Sequence, residues 1–238
     1  MKTWYNELGF FSNPFSIKPS SFNNEFFGNS NEVSKIIEKM QENEFILING
    51  EFGVGKTSVL KKLIAEFKGS FFKGKRIIYY NCNQSSNSID YDRLLINASG
   101  FFARLFRMRK KNMILFLDEV QDMNKKDLRK LKEYYNDSFF KTVVLVSKHE
   151  GLELGEEIES LIGSNKFKIE NMTKSQAIEM IRNRIGNLKF LSDDVIAKIF
   201  DANKNTRTFL KNCEDVCRAS FESGENEVSS SKVKEILA

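Results

Sequence analysis

Apolar residues follow two alternating patterns along the first 170 positions of the chain. Short, mainly apolar runs occur at Phe45–Ile48, Arg76–Cys82, Met113–Leu117, Thr142–Val146 and Phe167–Ile169. Runs of this length indicate buried β-strands. Between them, apolar residues recur every three or four positions, which is typical of helices that pack on one face. Because such strands alternate with helices, we expect an α/β domain in which helices cover both sides of a parallel sheet.

The helices of this region are predicted from their apolar spacing and their first residues. One begins at Asn29-x-x-Glu32, a capping-box pattern, and another begins after Asn124, a good capping residue. The helix after the first strand carries Val59, Leu60, Leu63, Ile64 and Phe67. A long helix is expected to have an apolar face made of Leu94, Leu95, Ala98, Phe101, Phe102, Leu105 and Phe106.

From Thr173 onwards, the pattern predicts helices only, beginning with the capping box Thr173-x-x-Gln176. We therefore predict an α/β domain over residues 1–172 and a small all-helical domain over residues 173–238. Residues 1–28 contain both prolines and many aromatic residues without periodicity, which favours an ordered arm packed on the surface.

Composition is typical of a cytoplasmic globular protein. Of the 238 residues, 41% are hydrophobic and 29% are charged, and the net charge is +5. No apolar run approaches the ~20 residues that a membrane helix needs, and the N-terminus lacks the apolar core of a signal peptide. The cysteines Cys82, Cys213 and Cys217 are an odd and sparse set that fits a reducing compartment. Cys213 and Cys217 share one helical face and are interpreted as buried apolar residues.

A phosphate-binding loop is predicted between the first strand and the helix that follows it. The sequence there fits Gly-x4-Gly-Lys-Thr and consists of Gly50, Glu51, Phe52, Gly53, Val54, Gly55, Lys56, Thr57 and Ser58. Glycines let consecutive backbone N–H groups turn towards phosphate oxygens, and the helix N-terminus adds partial positive charge. Lys56 can reach the β- and γ-phosphates of ATP, and the Thr57 hydroxyl can ligate Mg²⁺.

Two adjacent acids follow the apolar strand Met113–Leu117. A parallel strand that ends in Asp118 and Glu119 places both at the carboxyl edge of the sheet, where α/β folds bind their ligands. Asp118 is expected to hold Mg²⁺ directly or through water, and Glu119 to take a proton from the attacking water.

The phosphate loop, the Leu-Asp-Glu strand end, the polar strand end at Ser147 and the helical C-terminus together resemble the AAA+ ATPases of the P-loop superfamily. Within them the chain is most similar to the initiator and origin-recognition branch. The opening Gly9-Phe-Phe-Ser-Asn-Pro-Phe15 is also similar to that of other ATPases. The resemblance implies that the C-terminal helices form a lid over the nucleotide-binding domain.

The resemblance also implies roles for several residues. Phe27 and Gly28 correspond to the segment that lines the adenine pocket, and Arg207 to the lid arginine that reaches the γ-phosphate. Asn81 corresponds to a polar residue that can hold the catalytic glutamate in check, although an asparagine capping a strand end is an equally good interpretation. Relatives often have asparagine after the fourth strand, and either Ser147 or Lys148 can take that place.

The chain departs from the family pattern in two further places. Residues 160–167 lack the arginine that many relatives offer to a neighbouring subunit's ATP, and Lys166 is the nearest cation. A lysine is a point charge and does not replace a planar guanidinium. The sequence also ends after the helical domain, whereas initiators usually continue into a winged-helix domain.

Taken with the resemblance, the sequence predicts a Mg²⁺-dependent ATPase, slow in isolation, that controls assembly on nucleic acid. A homo-oligomer or a partner protein is expected to supply the missing cation. Two basic sets are candidate contacts for DNA, although a solvated helix face is the default for a run of charges; they are Arg104, Arg107, Arg109, Lys110 and Lys111, and Lys125, Lys126, Arg129, Lys130 and Lys132. The alternatives are an ATP-dependent scaffold switch with little turnover and an accessory ATPase of a secretion or envelope complex.

Overall fold

The five predicted apolar runs form the strands of one parallel sheet. A computed structural model describes residues 3–18, 27–69, 76–84, 88–99, 105–106 and 108–237. The sheet has the strand order β2-β3-β4-β1-β5, and every described pair is parallel. Its strands are β1 Phe45–Asn49, β2 Ile77–Asn81, β3 Met113–Asp118, β4 Phe140–Val146 and β5 Lys166–Lys168. The predicted fold class is therefore confirmed.

Helices surround the sheet and make up the C-terminal region. Those up to β5 are α1 Trp4–Glu7, α2 Ser30–Gln41, α3 Lys56–Gly69, α4 Tyr91–Ala98, α5 Lys125–Asn136 and α6 Glu156–Ile162. Those after β5 are α7 Lys174–Ile185, α8 Asp193–Ala202, α9 Thr206–Glu222 and α10 Ser230–Leu237. None of the helices in the described ranges has both the length and the apolarity to cross a bilayer.

Contacts divide the chain into two compact units. Residues 30–52 and 59–169 form one, called here the α/β unit, and residues 1–29, 53–58 and 170–238 form the other, called the helical unit. In the α/β unit, the central strands β3 and β4 are almost completely buried. A domain boundary near residue 172 stays a prediction.

The N-terminal arm belongs to the helical unit, whereas the predicted division at residue 172 places it with the α/β domain. Phe15 is only 2% exposed within the core formed by α7, α8, α9 and α10, and Trp4 stacks on its ring at 6.1 Å. The guanidinium of Arg184 donates to the carbonyls of Pro14 and Ser16 at 3.2 and 3.3 Å. Cys213 and Cys217 lie buried in the same core, as expected.

The long helix predicted before β3 is wrong in part. Helix α4 ends at Ala98, and the Ser99 hydroxyl donates to the Leu95 carbonyl at 2.6 Å, closing the last turn. Leu105 and Phe106, which were expected on a buried apolar face, are 67% and 69% exposed. Apolar spacing alone does not register the end of a helix. Phe101, Phe102, Arg104 and Arg107 lie outside the described residues.

The expectation for β2 as a buried strand was also wrong in part. Among the described strands, β2 lies at the edge of the sheet and pairs with β3 alone. Tyr79 on β2 is accordingly 47% exposed. Its apolar composition predicted burial, but composition does not show which strands lie at an edge.

Capping predictions met different outcomes. Asn124 accepts from the Asp127 N–H at 2.9 Å, and Thr173 and Gln176 form the expected capping box. Asn29 instead has a φ of +53°, and its amide group exchanges two hydrogen bonds with the backbone of Glu170. Its side chain is committed to that contact, so the predicted capping role at α2 is not the one the structure shows.

Candidate active site

The phosphate loop connects the end of β1 to the first turn of α3. Gly53 and Gly55 have φ angles of +90° and +108°, which side chains disfavour. The N–H of Ser58 donates to the Gly55 carbonyl at 2.8 Å, so the helix begins immediately after the loop. Thr57 is exposed, and its hydroxyl is therefore accessible to a ligand. The predicted strand, loop and helix are all present.

Within the helical unit, Asn205 lies against Gly53. The Asn205 side chain caps α9 by accepting from the N–H groups of Arg207 and Thr208, and the Arg207 N–H also donates to the Gly53 carbonyl at 3.2 Å. A Cβ on Gly53 would come within 2.4 Å of Asn205 Oδ1. Gly53 is therefore required by its backbone angle and by its neighbour. The sequence analysis missed Asn205, although its position before Thr206 fits a helix cap.

The carboxyl ends of β1, β3 and β4 lie at one edge of the sheet in the α/β unit. Asp118, the last residue of β3, pairs in register with Asn81 on β2 and Val146 on β4. Gly50, the first residue of the phosphate loop, follows the end of β1 at this same edge. The structure therefore brings Asp118, Asn81 and the residues that follow Val146 to the expected edge.

Asp118 is nearly buried and has two described hydrogen bonds. It is 6% exposed; one carboxylate oxygen accepts from the Glu119 N–H at 3.0 Å, and the other accepts from the Tyr79 hydroxyl at 3.0 Å. Burial, followed by the negative charge of Asp118, raises the pKa of Tyr79 to about 12. Tyr79 thus stays protonated and donates to Asp118. The only signal for Tyr79 in the sequence was its position two residues before Asn81.

Glu119 has an unusual backbone conformation for a residue with a side chain. Its φ and ψ are +57° and +45°, in the left-handed region, and a short 3-10 turn over Val120–Asp122 follows it. Its carboxylate accepts a short hydrogen bond from the Gln121 amide and lies 3.6 Å from the Lys148 ammonium. Strained backbone of this kind clusters at functional sites, which supports the choice of Glu119.

Ser147 and Lys148, between which the sequence could not decide, contact the same glutamine. The buried Ser147 hydroxyl donates to Gln121 Oε1 at 3.4 Å, and the Lys148 N–H donates to that oxygen at 3.3 Å. Gln121 was missed, although it stands two residues after Glu119. The Asn81 side chain accepts from the Asn83 N–H at 2.9 Å. A restraining role for Asn81 on Glu119 stays a prediction.

The residues expected to contact the adenine, Phe27 and Gly28, and the expected lid arginine, Arg207, all lie in the helical unit. Phe27 packs against the helical core, and a Cβ on Gly28 would meet Met172 at 3.5 Å and the Gln176 amide at 3.4 Å. Arg207 is exposed in the first turn of α9. Their contacts with a nucleotide stay predictions.

Lys166, the nearest cation to the position of the missing arginine, is already paired. Its ammonium lies 2.6 Å from a carboxylate oxygen of Glu159 on α6, a helix that the sequence analysis did not predict. An ion-paired lysine is a poorer candidate for reaching a neighbouring subunit than an unpaired one.

The residues of the loop and the sheet edge fit a magnesium nucleotide chemically. The start of α3 offers backbone N–H groups and the Lys56 amine for phosphate oxygens. Thr57 and Asp118 offer a hydroxyl and a carboxylate, which are the hard oxygen ligands that Mg²⁺ prefers.

Comparisons with known proteins agree with this geometry. The family described as AAA domain matches residues 42–178, more than half of the chain. No curated protein matches the sequence significantly. Among solved structures, Cdc6p from Pyrobaculum aerophilum is similar with a TM-score of 0.70 and 16% identity, covering 94% of this chain and 70% of that one.

Two further structures show the same fold. The Drosophila ORC structure, bound to DNA, has a TM-score of 0.70 and 12% identity over 94% of this chain and 63% of that one. The structure of the ORC1 protein of Aeropyrum pernix, in complex with DNA, has a TM-score of 0.66 and 18% identity, covering 92% of this chain and 67% of that one. The chain therefore spans about two thirds of the length of these proteins, and at such identities the likeness shows the fold alone.

Proposed function

The chain belongs to the AAA domain family, and from this membership we propose that it is a Mg²⁺-dependent ATPase that uses ATP binding and slow hydrolysis to control assembly on nucleic acid. The observation that carries the proposal is the acidic pair at the carboxyl edge of the sheet. Asp118 is held by Tyr79, while Glu119 is held by Gln121 and Lys148.

Each residue of the candidate site has a separable role in this proposal. The loop N–H groups and Lys56 bind the phosphates, and Thr57 and Asp118 hold the metal ion, which neutralises phosphate charge when bound. Glu119 accepts a proton from the attacking water. Arg207 contributes positive charge towards the γ-phosphate, and Phe27 and Gly28 contact the adenine. Ser147 orients the water or the γ-phosphate from the end of β4.

Nucleic acid is the proposed partner because the described residues of both basic sets lie in the α/β unit. Arg109, which also pairs with Asp92 at 2.6 Å, lies 4.9 Å from the ring centre of Phe139, and Lys111 lies 5.3 Å from it. Phe139 in turn contacts Tyr134 on the basic helix α5. On α5, Lys125, Lys126 and Arg129 are exposed. Phosphate backbones are the complement of such a surface. The relatives from Drosophila and Aeropyrum pernix are themselves described as bound to DNA.

A second candidate function is an ATP-dependent scaffold switch with little turnover. The ion pair between Lys166 and Glu159 favours it, because the cation nearest to the position of the missing arginine is already paired within this chain. The opening segment Gly9–Phe15 supports a third candidate, an accessory ATPase of a secretion or envelope complex.

Nucleotide binding and turnover are tested separately. Lys56→Ala is expected to remove most affinity for Mg-ATP, measured by calorimetry, while Lys61→Ala, an exposed lysine on the same helix, retains it. Glu119→Gln keeps the size of the side chain but cannot accept a proton, so turnover should collapse while binding survives. Equal ATP affinity in the parent and Lys56→Ala would show that the phosphate site is wrong.

The candidate functions are separated by adding DNA. Turnover that rises with DNA at low salt, and falls back when Lys125, Lys126 and Arg129 are replaced by alanine, supports assembly on nucleic acid. Tight ATP binding with negligible turnover in all conditions supports the scaffold switch. Failure to bind DNA at low salt, with turnover intact, would favour the accessory ATPase of a secretion or envelope complex.

A further inference from the structure

At the carboxyl edge of the sheet, Gln121 contacts both the residue that follows β3 and the residues that follow β4. Its amide nitrogen donates to the carboxylate of Glu119, and its amide oxygen accepts from the Ser147 hydroxyl and the Lys148 N–H. A glutamine amide has one acceptor oxygen and two N–H donors. Both kinds of group are engaged here, the donor with Glu119 and the acceptor with Ser147 and Lys148.

The residues that Gln121 connects have limited freedom of their own. Ser147 is completely buried; its hydroxyl accepts from the His149 N–H at 3.0 Å and shares its one proton between the His149 carbonyl at 3.2 Å and Gln121 Oε1 at 3.4 Å. The Glu119 side chain is three-quarters buried, and its backbone is in the left-handed region. Its rotamer therefore depends on the groups its carboxylate meets, which are the Gln121 amide and, at 3.6 Å, the Lys148 ammonium.

We propose that Gln121 is a positioning residue that ties the carboxylate of Glu119 to the carboxyl end of β4. A shift of Ser147 or Lys148 moves the Gln121 amide, and the amide in turn moves the carboxylate. The end of β4 and the general base then respond together to a ligand at the sheet edge. This inference rests on the proposed function for its kinetic consequences, but the coupling itself does not depend on hydrolysis.

The kinetic test uses Gln121→Met, which has nearly the same shape and lacks both hydrogen-bonding groups. A misplaced general base slows the chemical step, so kcat should fall roughly tenfold or more while KM for ATP stays within about twofold. Gln41→Met, an exposed glutamine at the end of α2 in the same unit, is the matched control and should leave kcat unchanged.

A second variant separates the two sides of the glutamine. Gln121→Glu keeps an acceptor for Ser147 and Lys148 but places a second carboxylate beside Glu119, so kcat should fall as in Gln121→Met. In a Ser147→Ala background, the effect of Gln121→Met should shrink to below about threefold, because coupled residues are not additive. Additive effects, or full activity in Gln121→Glu, would overturn the proposal.

The decisive measurement needs no turnover. In uniformly ¹⁵N-labelled protein, the side-chain amide resonances of Gln121 are identified by their absence from Gln121→Met. They should move in Glu119→Ala and again in Ser147→Ala, while those of Gln41 stay in place. Resonances that move in neither variant would refute the coupling. A protein that shows the coupling and hydrolyses no ATP would refute the proposed ATPase activity and leave this inference standing.

Discussion

The side-chain amide of Asn205 lies so close to Gly53 that a Cβ there would come within 2.4 Å of its oxygen. Asn205 begins a helix of the C-terminal region, and Gly53 belongs to the phosphate loop. One asparagine therefore caps α9 and limits the conformation that the loop can adopt.

Gly53→Ala is accordingly expected to weaken both stability and Mg-ATP binding. A side chain at a φ of +90° costs on the order of 1–3 kcal/mol, and the contact with Asn205 adds to that cost. Gly224→Ala, at +73° in open space in the same unit, carries the backbone cost alone. In urea unfolding, Gly53→Ala should have a lower free energy of unfolding than Gly224→Ala. Adding Asn205→Ala to Gly53→Ala should recover part of the difference. Equal losses for the two glycines would contradict the role of Asn205.

Phe15→Ala should destabilise the helical unit by about 3 kcal/mol or more, because the side chain is 2% exposed in its core. Phe11→Ala, four residues earlier and fully exposed, should change the free energy of unfolding by less than about 0.5 kcal/mol. Denaturant unfolding of both variants measures the difference. Similar values would mean that the arm does not contribute to the core.

Isolated protein should hydrolyse ATP at below ~1 per second, the lower end for efficient enzymes. A trans-acting arginine is worth roughly 10³-fold or more in related chemistry, and Lys166 is ion-paired with Glu159 of the same chain. Lys166→Ala should therefore change turnover by less than about twofold. The measurement is turnover against protein concentration, with and without DNA. Fast turnover that is independent of protein concentration would rule out a need for any cation from a second subunit. Fast turnover that rises with protein concentration and is lost in Arg129→Ala would identify Arg129 as that cation.

Stability at high pH should depend on Tyr134. Burial, followed by a hydrogen bond to Asp92, raises its pKa to about 12, above its ordinary value of 10. Because the folded state holds the proton more tightly, the contribution to stability is complete below pH 10 and is lost as the pH rises towards 12. Urea unfolding at pH 8, 10 and 11 should show a shallower decline for Tyr134→Phe than for the parent. Parallel declines would contradict the assignment.

The sheet and the phosphate loop were predictable because each is local in sequence. An apolar run indicates a buried strand, and the spacing from Gly50 to Thr57 specifies a loop whose chemistry leaves few alternatives. Asp118 and Glu119 were proposed as site residues in the same way, since they follow an apolar strand directly.

Tyr79 and Gln121 could not be found in this way. The contact of Tyr79 with Asp118 depends on the register between β2 and β3, and sequence spacing does not give that register. Gln121 reaches Ser147 because the left-handed Glu119 turns the chain into a 3-10 turn. Such contacts join residues that lie on or just after different strands, so they become visible only once the strand order is known.

The left-handed backbone of Glu119 sets thermostability against activity at this one position. Glycine or asparagine adopts that conformation more readily, so Glu119→Gly and Glu119→Asn are expected to resist heat better than the parent. Neither side chain can accept a proton as a carboxylate does. Under the proposed function, a laboratory selection for heat resistance alone would therefore enrich proteins that bind ATP without hydrolysing it.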